Sequence, residues 1–288
     1  KFQIGIFSFN EINIDISKQA IKYKINSIIK QQDKHSKISY GTMKHEQSIN
    51  MYKPGGTMTG VLNQWSARYN QQGADDQGRW SWISLNGRRG KQILIMSVYR
   101  VSQKYPSQAS QGSACQQQYR YQLKTKKNPN PKNQCLTDLL AFLASWKRHH
   151  QSTSIILMTD SNEDVKENGP FQDFIHASNT VDAVKYQNPI HAATKPTYIR
   201  SKNRIDYILV SRDLLPAIVT AGHYDFHELI QTSDHRGIYL SLDSSLLFDS
   251  NEVDPTHIAH RRLQLHQRSC VEKYIAHLTQ MLESRNFC

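Results

Sequence analysis

Acids, one imidazole and amide side chains gather at four places in this 288-residue chain, each beside a short apolar run. They are "FNEIN" (9–13), "TDSNED" (159–164), "NRIDYI" (203–208) and "TSDHRG" (232–237). Singly, each has an ordinary explanation: a Glu after a strand is usually solvated, and Asp-x-Asn is common turn composition. An aspartate in "RIDYILV" is odder, because a charge among apolar residues needs a partner. Together they suit phosphoryl chemistry. Glu11 and Asp234 offer hard oxygen ligands for a divalent ion, Mg²⁺ or alternatively Mn²⁺. Asp160 could serve a hydrolytic water as base or as orienting carboxylate. In an extended segment Asn162 would point the same way, and its amide would donate to a phosphate oxygen or steer the water. His235 would stabilise charge on a transferring phosphoryl group, held in one orientation by Asp206. Glu163 and Asp164 read as solvated loop charges.

Strands and helices must bring these groups together. "FQIGIFSF" (2–9) reads as a buried strand ended by Asn10-Glu11. Ser17 is placed to cap a helix over 18–31 with Ile21, Ile25, Ile28 and Ile29 on one face. "GRWSWISL" (78–85) and "QILIMSVY" (92–99) flank the hairpin turn "NGRRG". Residues 102–134 read as a long polar loop with one helix near 110–124. Leu136, Leu139, Leu140, Leu143 and Trp146 predict a helix to 149, and Pro170 suits the first turn of another. The run before "MTDSNED" is a strand; "KPTYI", "RIDYILVS", "AIVTAGHY" and "RGIYLSL" read as four more. Mixed strands and helices imply a layered α/β protein. After Leu247 comes an acidic linker and then a basic amphipathic helix over 255–284, so the domain is placed at 1–247 and the linker and helix at 248–288.

Composition narrows the partners. A formal net charge of +12 favours a polyanion over a neutral ligand. Basic groups in "GRW", "NGRRGK" (86–91) and "KTKKNPNPK" (124–132) are placed to meet a phosphate backbone; Trp80, Trp82 or Tyr105 could stack on bases, though the two tryptophans read better as core or sheet surface. Four cysteines with no CxxC pair argue against zinc and against a disulfide framework, and so for an intracellular, potentially nuclear, setting. No apolar run approaches the roughly 20 residues of a membrane span.

The ordered motifs resemble the endonuclease/exonuclease/phosphatase superfamily of apurinic endonucleases and deoxyribonuclease I. "FSFNEIN" matches the Glu after a core strand, giving Glu11. "MSVYR" matches the phosphate-contacting Tyr, giving Tyr99. "ILMTDSN" gives Asp160 and Asn162; "PTYIRSKNRIDYILVS" gives Asp206; "TSDHRGIYLSL" gives Asp234 and His235. The resemblance covers about residues 2–242. It implies a four-layered α/β sandwich of two mixed sheets flanked by helices. It also implies an earlier strand bearing an Asn; nothing precedes "KFQIGIFSF", so the first strand is expected to be missing and the chain truncated at its start.

Within that superfamily the chain most resembles endonuclease domains of non-long-terminal-repeat retrotransposons, which implies a downstream reverse transcriptase domain in the full-length protein. The expected activity is a metal-dependent phosphodiesterase nicking DNA by activated-water attack. Two alternatives stay open: a phosphomonoesterase acting on a small or lipid-borne phosphate, and an inactive, truncated nucleic-acid-binding fragment.

Overall fold

"QILIMSV" and "TSIILMT" are apolar at nearly every position, which suits strands covered on both faces. The computed structural model, which describes residues 4–46, 50–125, 128–189, 195–228, 233–249 and 268–284, places them at the centre of a sheet. In chain order the elements are β1 (Ile6–Asn10), α1 (Gln19–Gln32), β2 (Lys37–Gly41), β3 (Thr57–Val61), β4 (Tyr69–Ala74), β5 (Trp80–Asn86), β6 (Gln92–Tyr99), α2 (Ala114–Gln122), α3 (Pro131–His149), β7 (Thr153–Asp160), α4 (Pro170–Ser178), β8 (Thr180–Asp182), α5 (Ala183–Gln187), β9 (Asp206–Ser211), β10 (Ile218–His223), β11 (Ile238–Leu242), α6 (Ser244–Phe248) and α7 (Arg268–Ser284).

Six strands form one mixed sheet in the order β4-β5-β6-β7-β9-β8, in which β6 and β7 run parallel. Alternation divides its side chains. Ile93 and Ile95 of β6, Ile156 of β7, and Ile208 and Val210 of β9 share one buried cluster with Ile6, Val61, Ile238 and Leu240. Leu94, Met96, Val98, Ile155, Leu157, Tyr207 and Leu209 face the opposite way, onto Leu136, Leu139 and Leu143 of α3 and the phenyl rings of α4. The sandwich implied by the sequence is therefore present. The layer facing the six-stranded sheet is itself antiparallel: three strands in the order β1-β3-β2, and the pair β10-β11. Among the described residues, neither β1 opposite β3 nor β11 opposite β10 has a ladder partner.

A polar contact ties the layers together. Thr59 Oγ1 of β3 donates to Ser97 Oγ of β6 (2.7 Å) and lies 2.8 Å from Ser81 Oγ of β5, and all three residues are fully buried.

Several expectations shift. Ser17 does not cap α1: its hydroxyl donates to Asp15 Oδ1, and the helix has no side-chain cap and no buried residue. "KPTYI" is not a strand; Tyr198 makes one isolated bridge to His235, because Pro196 has no N–H and Thr197 gives its hydroxyl and carbonyl to other segments. The boundary after Leu247 falls inside α6, where Phe248 is buried edge-on against Trp65. β4 and β8 have no apolar pattern that would announce them, and β2 offers only the short alternation of Ile38 and Tyr40. The described residues fall into two compact units, those up to 249 in one and 268–284 in the other. The C-terminal helix is described from Arg268; the first part of the helix expected over 255–284, with Ile258, Leu263 and Leu265, and most of the acidic linker before it lie outside the described residues.

Thr59→Val should strip the Ser81 hydroxyl of its partner and lower stability by about 1–3 kcal/mol, read from urea unfolding monitored by tryptophan fluorescence.

Candidate active site

The alternation that sorts the core also aligns the chemistry. Tyr99 follows Ile93, Ile95 and Ser97 on the inner face of β6; Asp160 follows Ile156 and Met158 on β7; Asp206 precedes Ile208 and Val210 on β9. In the ladders Tyr99 is the partner of Asp160, and Asp160 the partner of Asp206. One row across three adjacent strands thus ends in a phenol and two carboxylates, all facing the space between the layers.

The facing layer contributes the rest. Glu11 follows β1 with φ 53°, a conformation uncommon outside Gly, Asn and Asp. The turn "PGG" fixes it: Gly55 and Gly56 adopt φ 80° and 84°, and their carbonyls accept the N–H groups of Asn13 and Ile12. A side chain at Gly55 would meet Ala114 Cβ at 3.0 Å and the Tyr99 ring at 3.4 Å, so only glycine permits this approach. The Tyr99 hydroxyl acts on the Glu11 carboxyl and favours its charged form.

Thr197 aligns the other pair. Its hydroxyl accepts the N–H groups of Ile205 (2.9 Å) and Asp206 (3.0 Å), and its carbonyl accepts the N–H of Arg236. His235 is thereby set beside Asp206, with Nδ1 2.8 Å from Oδ2, and its ring lies against Tyr198 at 5.1 Å.

Charge follows from this geometry. Burial, then the neighbouring Asp206, raise the Asp160 carboxyl well above the usual carboxylate range, against the opposing pull of His235. Burial lowers the His235 imidazole, but the hydrogen bond to Asp206 and the charges of Asp206, Asp160 and Asp234 outweigh it and raise the ring to about 9. At neutral pH His235 is therefore an imidazolium. Glu11 is raised by the protein packed around its carboxyl, an effect that Tyr99 and His235 partly offset and Asp234 reinforces. Burial and the charges of Glu11 and Asp160 hold Tyr99 well above its ordinary value, so it stays a hydrogen-bond donor.

Two seats for a cation can be weighed. Ligand atoms of Asp160, Asp206 and His235 lie within 4.8 Å of one another. That set, however, already holds a proton on His235 and uses Asp206 Oδ2 to bind it. Glu11 and Asp234 offer oxygen alone, and their mutual repulsion is what a hard divalent ion would relieve. The donor chemistry of Glu11 and Asp234 is thus of the kind such an ion takes, while the set of three ligand atoms within 4.8 Å is that of Asp160, Asp206 and His235.

Other expectations fare differently. Asn162 is not in an extended segment: it has φ 48°, its N–H donates to Asp160 Oδ1 (3.1 Å) and its Nδ2 to the Arg100 carbonyl (2.7 Å). Glu163 and Asp164 are not solvated. Glu163 pairs with the buried Arg100, and Asp164, 4% exposed, accepts the N–H groups of Lys166 and Arg204. Arg79 of "GRW" is likewise withdrawn from any phosphate, bound to Asp75 and Asp138. Arg88 and Arg89 are exposed but precede β6, whereas the site lies at its far end. Lys132 is spent on the carbonyls of Ser102 and Asn162, and Lys126 and Lys127 lie outside the described residues. Trp82 packs edge-on against Trp146 at 4.8 Å. Arg100 and Thr197 were not singled out from sequence. The signal for Arg100 was present: a cation ending an eight-residue, nearly all-apolar strand must be matched by something.

No family model matches the chain, nor does any curated protein. Solved structures do. The chain is similar to the 3′ phosphatase NExo from Neisseria, solved with a product DNA hairpin: TM-score 0.55 and 15% identity, over 83% of this chain and 89% of that one. It is similar to an AP endonuclease from Archaeoglobus fulgidus, with TM-score 0.53 and 14% identity over 83% and 89%. It is also similar to the AP endonuclease LMAP from Leishmania major, with TM-score 0.54 and 13% identity over 82% and 77%. At these identities the likeness is one of fold. The α/β sandwich architecture is shared with these structures, and it is the fold that the ordered motifs implied.

In metal-free protein the His235 ring should titrate near pH 9 by NMR, and Asp206→Asn should return it toward about 6.5. Because the folded value exceeds the unfolded one, the pair's stabilisation is complete below about pH 6.5 and lost as pH rises through about 9.

Proposed function

We propose that this chain is a divalent-metal-dependent phosphodiesterase that nicks DNA by attack of an activated water. The observation that carries this reading is the inner-face row of Tyr99, Asp160 and Asp206, closed by the His235 imidazolium and faced by Glu11. The fold is one used by phosphatases and nucleases, and a net charge of +12 suits a polyanion.

A divalent ion held by Glu11 and Asp234 would supply Lewis-acid charge beside the scissile phosphate. The chain's own residues do the remainder. Asp160, whose carboxyl favours the proton, takes one from the attacking water or holds that water in line. The Asn162 N–H pins one Asp160 oxygen, and the second Nδ2 hydrogen is the one left to meet a phosphate oxygen. His235 presents a positive charge to the developing phosphorane oxygens, and Asp206 fixes its orientation through Nδ1. Tyr99 keeps its proton and directs it at Glu11 or at a phosphate oxygen.

The experiment is nicking of supercoiled plasmid with Mg²⁺. Asp160→Asn and His235→Ala should each slow nicking by about 10²–10⁴-fold, and a chelator should abolish it. Equal nicking by all three proteins would remove the assignment. Phosphate release from small or lipid-borne monoesters without nicking would instead favour the phosphomonoesterase reading.

A further inference from the structure

Arg100 is the largest side chain buried to within 1% exposure, and its guanidinium is spread over four partners on two segments. Nε donates to the Lys132 carbonyl at the start of α3 (2.9 Å), and Nη2 to Asn133 Oδ1 (3.3 Å). Nη1 donates to the Ser161 carbonyl (3.1 Å) and to Glu163 Oε2 (2.7 Å). The backbone of Arg100 works on the same turn: its N–H donates to the Asp160 carbonyl (3.0 Å), and its carbonyl accepts Asn162 Nδ2. Glu163 passes the restraint onward, since Oε1 accepts the N–H of Phe171 in the first turn of α4 (2.8 Å). A side chain at Gly169 would come within 2.4 Å of that same oxygen, so the carboxylate occupies a seat shaped for it.

We infer that Arg100 and Glu163 are a positioning pair: they hold the turn after β7 so that Asp160 and Asn162 keep the orientation the site requires. This rests on the catalytic reading of those two residues. A buried ion pair is poor evidence for stabilisation, because desolvation offsets much of its attraction. Its geometric content is more telling. A forked cation with donors in fixed directions can tie Ser161, Glu163 and the start of α3 together, whereas a lysine in its place offers one compact point charge. Asn162 sits in the left-handed region, where a turn needs outside restraint to be unique.

The test uses the full chain and separates position from fold. Arg100→Lys keeps the charge and loses the fork; Glu163→Gln keeps the shape and loses the charge. Gly169→Ala displaces the Glu163 carboxylate without altering it. Each should lower kcat for plasmid nicking by about tenfold to a hundredfold at unchanged KM. The backbone amide of Asn162 should exchange at least about tenfold faster, while that of Leu157 within β7 keeps its protection. The neutral double variant Arg100→Met/Glu163→Gln leaves no unpaired buried charge; it should fold, yet stay slow and unprotected at Asn162. Wild-type kcat in the folded double variant, or unchanged Asn162 exchange in all variants, would overturn the inference. Absence of phosphodiester cleavage by the wild-type protein would sink the proposed activity instead, and the exchange measurement would still decide whether the pair positions the turn.

Discussion

Two carboxylates stand as direct partners in an antiparallel ladder, Asp160 on β7 and Asp206 on β9, and the site is organised around making that tolerable. Like charges at opposed positions repel, and burial makes each anion costlier. The protein answers with one imidazolium, bound to Asp206 and close enough to Asp160 to oppose its upward shift. Removing that ring would leave two opposed carboxyls without the cation beside them. The arrangement places a carboxyl with a raised pKa and a positive charge side by side at the end of a sheet.

The layers matter because neither contains the whole site. Tyr99, Asp160 and Asp206 belong to the six-stranded sheet, whereas Glu11 comes from the end of β1 and Asp234 and His235 from the segment before β11. Their relation is only as good as the packing of one layer on the other. Thr59, with its hydroxyl among Ser81 and Ser97, gives that packing a direction which aliphatic contacts alone would not.

Much of this was legible in the sequence, for a specific reason. Strands buried on both faces are long apolar runs, and a polar residue ending such a run stands out: Tyr99, Asp160 and Asp206 were all visible in that way. Counting by twos from Ile95, Ile156 and Ile208 even places them on one face. What could not be read was contact between distant segments. The partner of Arg100 lies across a turn and a helix start, and Glu163 looks solvated until that partner is known. Asn162 was misjudged because alternation was extended past the last strand residue into a left-handed turn. β2, β4 and β8 escaped notice because their residues are polar or few, and the ladder alone makes them strands.

The parallel pairing of β6 with β7 has a consequence for when the row of polar residues can assemble. Parallel neighbours need a crossover, and here everything from Arg100 to Ser152, including α2 and α3, intervenes before Asp160 can lie beside Tyr99. The Asn162–Arg100 bond closes a separation of 62 residues, and the His235–Asp206 bond a further 29. Contacts so distant along the chain form slowly and late. During synthesis the acids emerge singly, each harmless, and the constellation exists only once residue 235 has left the ribosome. The topology thus makes the assembled row of Tyr99, Asp160, Asp206 and His235 a late product of folding.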